Sequence, residues 1–287
     1  MRQIPMRRSL FLSAAVLLGT LPALAETPLA PHRAVYDLKL RTAKNLNAVE
    51  RVQGRIVYEF QGNACEGYAL NFRQVTEVTN GEGESNLSDL RSATFEEGDG
   101  KNFRFTAQTF TNRQLEKDVD GRATEEPDGA VAVEVKKPAA FSAKFPGPVV
   151  FPTEHLRRTI EAGEKGDATL AATVYDGSET GEKAYPTLSV IGKAIPAGQV
   201  DGLEDPARAG PLATQRRWPV SVSYFDPAKV GETTPIYTLG FELYENGVSR
   251  ALRIDYGDFV LDGTLTELRF LPAKACGDTP PAAPPAQ

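Results

Sequence analysis

The feature that most constrains this sequence is the alternation of apolar and polar residues along most of its length. The segment HRAVYDLKLR at 32–41 places Ala34, Tyr36 and Leu38 on one face and charged residues such as Asp37 on the other. A period of two is typical of a β-strand that buries one face and exposes the other to water. The same pattern recurs in RVQGRIVYEF, GYALNFRQVTEV, NFRFTAQTF, AVAVEV, ATLAATVY, YPTLSVIG, WPVSVSYF, IYTLGFELY, VSRALRIDY and FVLDGTLTELRFL.

These segments follow one another without crossover helices, which predicts an antiparallel meander. At least ten are present, and one flat open sheet of that size would curl or split. The predicted fold class is therefore all-β, with a large antiparallel sheet curved into a barrel-like form or packed as a sandwich. The inward positions mix large residues such as Tyr36 and Trp218 with small ones such as Ala34 and Ala172. That mix fits a filled core or a lined cavity equally well.

Turn chemistry marks two of the connections. Asn246-Gly247 lies between two alternating segments and predicts a type I′ hairpin turn, because both residues tolerate positive φ. Residues 198–211, GQVDGLEDPARAGP, form the longest loop predicted inside the domain.

The N-terminus predicts export. Three arginines precede a short apolar stretch, and Ala-Leu-Ala at 23–25 matches an A-x-A cleavage site. We therefore predict a signal peptide at 1–25, a single mature domain at 26–276 and a disordered Pro/Ala-rich tail at 277–287. A retained membrane anchor is the alternative to cleavage. A second long apolar run is lacking in the sequence, so no integral membrane segment is expected in the mature protein.

The charge balance narrows the range of partners. The whole chain carries a formal charge of −6, and removing residues 1–25 takes away three arginines and no acids, which gives −9. Nucleic-acid binding requires clustered Lys and Arg, so a nucleic-acid partner is not expected. Broad docking on anionic lipid headgroups is disfavoured for the same reason.

Cys65 and Cys276 are the only cysteines. Two thiols in an exported protein favour one disulfide, and two free thiols are the alternative. Neither has a C-x-x-C neighbour, and the two histidines lie far apart in sequence. The sequence therefore offers no redox motif, no metal site and no cofactor site.

One segment, FPTEHLRRTI at 151–160, is typical of a short helix of about ten residues. Thr153 is a possible N-cap, and Gly163 offers a stop. Leu156 and Ile160 are four apart, so they share one face that must pack on the sheet. His155 lies beside that face. No activated serine motif accompanies it, so we interpret His155 as a structural residue near a plug helix rather than as a catalytic base.

Several further segments are distinctive as a set: HRAVYDLKL, FPTEHLRRTIEAGEKG, VYDGSETGEK, WPVSVSYFD, LYENGVSRALRIDYGDFVLDGTL and the two distant cysteines. Together they resemble the EipB family of alphaproteobacterial proteins, which are tied to cell-envelope integrity and were long classified as a domain of unknown function. The resemblance covers nearly all of the mature chain, in matching order.

The resemblance implies a periplasmic, incompletely closed antiparallel β-spiral with one short helix at its opening, similar to the LolA and LolB lipoprotein carriers. It implies that Cys65 and Cys276 form the family's disulfide. It supplies no catalytic residues. Tyr175, Asp176 and Gly177 match a family segment of unknown role.

Three hypotheses follow. In the first, the protein is a non-enzymatic periplasmic factor that maintains envelope integrity by binding envelope proteins, with helical-repeat proteins as one kind of partner. In the second, it carries a lipid or acyl chain in the spiral. In the third and weakest, it is an unrecognised hydrolase. The second requires a hollow interior, and a filled one would exclude it.

Overall fold

The computed structural model describes residues 28–229, 231, 233–274 and 276. The predicted signal peptide and tail lie outside these residues and stay predictions. The helices are α1 (Pro152–Lys165), α2 (Asp205–Arg208) and a 3-10 helix (Gly210–Thr214). The strands are β1 (His32–Ala43), β2 (Arg51–Asn63), β3 (Gly67–Thr79), β4 (Ser85–Glu96), β5 (Asn102–Thr111), β6 (Gln114–Glu125), β7 (Val131–Lys137), β8 (Phe141–Phe145), β9 (Val149–Val150), β10 (Thr169–Val174), β11 (Tyr185–Ile191), β12 (Arg217–Tyr224), β13 (Tyr237–Tyr244), β14 (Ser249–Asp255) and β15 (Phe259–Phe270).

All fifteen strands belong to one sheet, in the order β8-β7-β6-β5-β4-β3-β2-β1-β15-β14-β13-β12-β11-β10-β9. Neighbours are antiparallel except the short β9, which pairs in parallel with β10. The meander is joined in the middle by the first and last strands, for example at Leu38 and Gly263. The predicted all-β antiparallel fold is confirmed.

The two edges of the sheet are consecutive in sequence, since β8 ends at Phe145 and β9 begins at Val149. The short connection keeps these two edges near each other, but β8 and β9 do not pair with one another. The barrel-like sheet is therefore nearly but not fully closed. Side chains fill the interior here. We call this group the seam cluster; it contains Phe103, Phe105, Val131, Val133, Val135, Val149, Phe151 and Tyr175.

The segment predicted as a long loop at 198–211 contains α2 and the start of the 3-10 helix. Its apolar residues Leu203 and Ala207, together with Leu212 just beyond it, are fully buried against the inner face of β1, β14 and β15. The predicted loop therefore contains short helical turns. These three spaced apolar residues give it a buried face, and it fills that part of the sheet's interior.

Helix α1 was predicted in the right place, but its bounds were wrong. It spans 14 residues; Phe151 is the N-cap and Pro152 occupies the first turn. Gly166, with a φ of 80°, ends it in the left-handed conformation. Gly163 lies inside the helix instead and does not end it. A glycine suits this position because a Cβ there would meet the Trp218 ring at 3.0 Å.

The Asn246-Gly247 hairpin forms between β13 and β14, but not as a type I′ turn. Only Gly247 of the pair has a positive φ, 86°. Gly247 N–H donates to the Tyr244 carbonyl at 2.9 Å, and Tyr244 N–H donates to the Val248 carbonyl. This is the three-residue connection in which a type I turn is followed by a left-handed glycine.

Candidate functional site

The inner face of the sheet borders a cavity made of three adjoining lobes. The aliphatic lobe measures about 400 Å³ and is lined by residues two apart on successive strands, such as Ile56 with Tyr58 and Leu239 with Phe241. This spacing places these strand residues on the inward face. The other two are the tyrosine lobe, about 500 Å³, and the helix lobe, about 200 Å³.

The lobes share walls. Phe72, Leu90, Tyr237 and Tyr256 line both the aliphatic and the tyrosine lobe. Tyr58, Leu156, Leu239 and Phe241 line both the aliphatic and the helix lobe. The interior is thus hollow where the sheet curves past these residues, and its walls are mainly aromatic and aliphatic.

Helix α1 forms one wall of this cavity. Leu156 lines the aliphatic and helix lobes, and His155 lines the helix lobe. Ile160 points elsewhere: it is buried in a cluster with Trp218 and Leu243. The three predicted helix residues therefore divide into two that border the cavity and one that anchors the helix.

A carboxylate from the sheet caps the N-terminus of α1. Glu96, at the end of β4, accepts hydrogen bonds from the backbone N–H groups of Thr153, at 2.7 Å, and Glu154, at 2.8 Å. A negative charge is favourable at the positive end of a helix dipole. Burial nevertheless raises the pKa of Glu96 to about 7, because it outweighs these two hydrogen bonds. Nothing in the local sequence linked Glu96 to the helix 57 residues later.

His155 is 6% exposed. Its Nε2 atom lies 3.4 Å from the hydroxyl of the fully buried Ser189, and its carbonyl accepts a hydrogen bond from Thr159. Burial, with a smaller contribution from the charge of Arg158, lowers the pKa of His155 to about 4. The ring is therefore neutral at neutral pH, and it packs between the helix and β11 at the cavity wall.

The Tyr175-Asp176-Gly177 segment crosses the seam cluster. The Tyr175 hydroxyl donates to the Gly181 carbonyl at 2.8 Å, and its ring meets Phe105 edge-on at 5.6 Å. A Cβ on Gly177 would lie 2.4 Å from the Phe105 ring. Tyr175 and Gly177 thus close the interior at the seam.

Asp176, like Gly177, lines the tyrosine lobe, but it adds a carboxyl group to the lining. Its Oδ1 atom accepts a hydrogen bond from the Ser178 N–H at 2.9 Å, and burial raises the pKa of its carboxyl. Three tyrosines also line this lobe: Tyr185, Tyr237 and Tyr256. Sequence reasoning singled out Asp176 from its family segment but missed these tyrosines, whose alternation alone does not show what they border.

The Cys65–Cys276 disulfide is present, with the Cα atoms 5.6 Å apart. It fastens the chain beyond β15 to the turn between β2 and β3. Lys274 reinforces the link, since its carbonyl accepts a hydrogen bond from Asn63 and its ammonium pairs with Glu66 at 3.4 Å. The predicted pairing is confirmed.

Two features are absent from the described part of the chain. Its His, Cys, Asp and Glu residues form no group of three or more with metal-binding geometry. None of its helices is long and apolar enough to span a membrane.

A nearly closed, fifteen-stranded and almost entirely antiparallel sheet with a lined cavity and one helix in its wall defines this as a barrel-like β-protein with an internal cavity. The EipB-like family model matches residues 23–272, and the chain belongs to this family. It is 38% identical over 252 residues, 87% of either chain, to the cell envelope integrity protein EipB of Brucella abortus (strain 2308).

A solved structure agrees with the architecture. The crystal structure of a beta-barrel-like protein of domain of unknown function DUF1849, from Brucella abortus, matches with a TM-score of 0.77 at 38% identity. The match covers 85% of this chain and 99% of that one.

Proposed function

We propose that this protein is a periplasmic, non-enzymatic factor in cell envelope integrity that binds a lipid or acyl chain in the cavity of its sheet. The observation that carries the proposal is the hollow interior. Its aliphatic lobe alone falls within the range of about 300–1,000 Å³ that is typical of small-molecule sites.

The chemistry of the lining supports a hydrophobic ligand. Its walls are side chains such as Tyr58, Leu239 and Phe241, and burial of apolar ligand surface against them is worth roughly 25 cal/mol per Å². His32, Gln74 and Ser249 are the few polar residues there, enough to orient a ligand. The name of the Brucella relative supports the envelope role, and the predicted signal peptide and the disulfide fit an oxidising, extracytoplasmic compartment.

Titration with monomyristoylglycerol, followed by calorimetry, tests the proposal. The wild-type protein should bind it, and Leu239→Trp should weaken binding strongly because the larger ring projects into both the aliphatic and the helix lobe. Leu188→Trp is the matched control. Leu188 is an outward-facing, 38% exposed leucine of the same sheet, so this variant should bind like wild type.

Absence of binding to the wild-type protein, or equal binding by both tryptophan variants, would contradict the proposal. Circular dichroism of each variant confirms that the sheet is retained.

Binding of envelope proteins, including helical-repeat partners, stays a prediction. Cross-linking in intact cells followed by purification tests it, and loss of the cross-linked species on surface mutation would support it.

For the hydrolase hypothesis, His155→Ala should abolish function in cells without unfolding the protein. Full complementation by that variant would exclude a catalytic His155.

A further inference from the structure

The tyrosine lobe differs chemically from the rest of the cavity. Tyr185 on β11 and Tyr237 on β13 line it, whereas Tyr224 on the strand between them, β12, lines the helix lobe. The three rings form a continuous row. The ring centroids are 6.5 Å apart between Tyr185 and Tyr224, and 4.5 Å apart between Tyr224 and Tyr237. Tyr256 extends the row at 6.5 Å from Tyr237.

Asp176 lies against this row. It lines the same lobe as Tyr185 and Tyr237. Burial is the main cause that raises the pKa of Tyr224 and of Tyr237, and the charge of Asp176 adds to it. Among the described residues, Asp176 has no ion-pair partner. The Ser178 N–H satisfies one oxygen lone pair, and no cation in the described part of the chain balances the charge of this half-buried carboxylate.

The other charged residues of the lobe lie at its rim. Glu179 is exposed and lies 3.8 Å from Lys183. Lys117 is the one cationic residue of the described chain that lines the lobe, and it is exposed on β6. The deep part of the lobe therefore holds a carboxylate and aromatic rings.

Aromatic faces and an unpaired carboxylate are the groups that recognise an ammonium ion. The neighbouring aliphatic lobe shares Tyr237 and Tyr256 with this one, so a molecule can occupy both. We propose that the ligand is an amphiphile with a cationic ammonium headgroup, held by Asp176 and the tyrosine row while its chain lies in the aliphatic lobe. This inference rests on the proposed function and names its ligand class.

Three chain-matched probes test the headgroup: tetradecyltrimethylammonium, monomyristoylglycerol and myristate, each below its micelle concentration. The wild-type protein should bind the ammonium probe about tenfold more tightly than the neutral one, and myristate more weakly than both. Asp176→Asn should remove that preference and leave the neutral probe unaffected within about twofold, since the amide oxygen still accepts from Ser178.

Asp99→Asn is the matched control. Asp99 also accepts a hydrogen bond from the N–H two residues on, at 3.0 Å, but it lies in an exposed hairpin turn. Tyr237→Leu should weaken the ammonium probe several-fold, whereas Tyr237→Phe, which keeps the ring, should not.

The inference is overturned by equal wild-type affinity for the ammonium and neutral probes, by a preference for myristate, or by equal effects of Asp176→Asn and Asp99→Asn. Failure of the proposed function gives a different result, because then the neutral probe does not bind the wild-type protein either.

Discussion

Two parts of the same interior, the seam cluster and the cavity, are built from similar residues but packed in opposite ways. At the seam, Phe105 is 3% exposed and touches Phe103 and Tyr175. At the cavity, Phe241 and Leu239 are only half-buried and face open space. The difference comes from the segment at 175–181, which packs over the seam cluster. No comparable segment among the described residues packs over the aliphatic lobe of the cavity.

The most direct way to break this comparison is to truncate one phenylalanine in each part. Phe105→Ala should lower the free energy of unfolding by about 3–5 kcal/mol, since it opens a void among packed rings. Phe241→Ala should cost only about 1–2 kcal/mol, because part of that side chain already borders a cavity. Urea denaturation of the two variants measures both values, and equal losses would mean that the two regions are packed alike.

The disulfide lies outside both regions, so the loss of stability on removing it is a reference for the losses expected at the seam and at the cavity. Cys65→Ser should lower the free energy of unfolding by about 2–5 kcal/mol, because the closed loop of 211 residues no longer restricts the unfolded chain. Adding reductant to the wild-type protein should give a similar loss in a thermal melt. Identical unfolding with and without reductant would contradict this prediction.

Gly177, at the seam, tests how tightly the chain packs against Phe105. Gly177→Ala should cost about 2–4 kcal/mol, which combines the strain of an alanine at a φ of 69° with the clash against Phe105. Gly83→Ala is the control: its φ of 82° is similar, but a Cβ there meets nothing within 4 Å. It should cost about 1 kcal/mol. Equal losses would show that Gly177 is needed for its backbone angle alone.

His155, at the cavity wall, gives the smallest effect and one that depends on pH. Its pKa falls from 6.5 to about 4 on folding, so the stability that it contributes is complete above pH 6.5 and is lost as the pH falls toward 4. Relative to His155→Gln, the wild-type protein should lose at most about 3 kcal/mol between pH 7 and 4.

The quantity to measure is the difference in the free energy of unfolding between the wild-type protein and His155→Gln at each pH. The pKa of Glu96 is raised to about 7, so the stability from Glu96 is complete below pH 4.5 and declines as the pH rises through 7. This opposite trend is common to both proteins and cancels. A difference that stays constant with pH would show that His155 is accessible to protons in the folded state.

The sequence was sufficient to predict eleven of the fifteen described strands, the helix and, with the family resemblance, the curved open sheet and the disulfide; it missed β4, β6, β8 and β9. These depend on local periodicity, on the number of strands and on two cysteines. The alternating pattern shows which face of a strand is inward, but not what lies opposite. For that reason it did not distinguish Phe105, which packs against Gly121 and Gly177 and borders only the tyrosine lobe, from Phe241, which lines the aliphatic and helix lobes.

The contacts that position the site also escaped sequence reasoning, since they join distant segments. Glu96 caps a helix that begins 56 residues later, and its neighbours in sequence indicate only a turn. The segment at 198–211 was predicted as a loop because its glycines and prolines dominate the pattern, although Leu203 and Ala207 are buried. Such pairings depend on the closed shape of the whole sheet.

The central claim is that the interior of the sheet is hollow and holds an apolar chain. A crystal structure with a monoacylglycerol brominated at the chain end tests it most directly, because bromine is located by anomalous scattering. The account predicts a bromine peak inside the aliphatic lobe, near Tyr58 and Leu239. A lobe filled by protein side chains, or bromine found only on the outer surface, would contradict it.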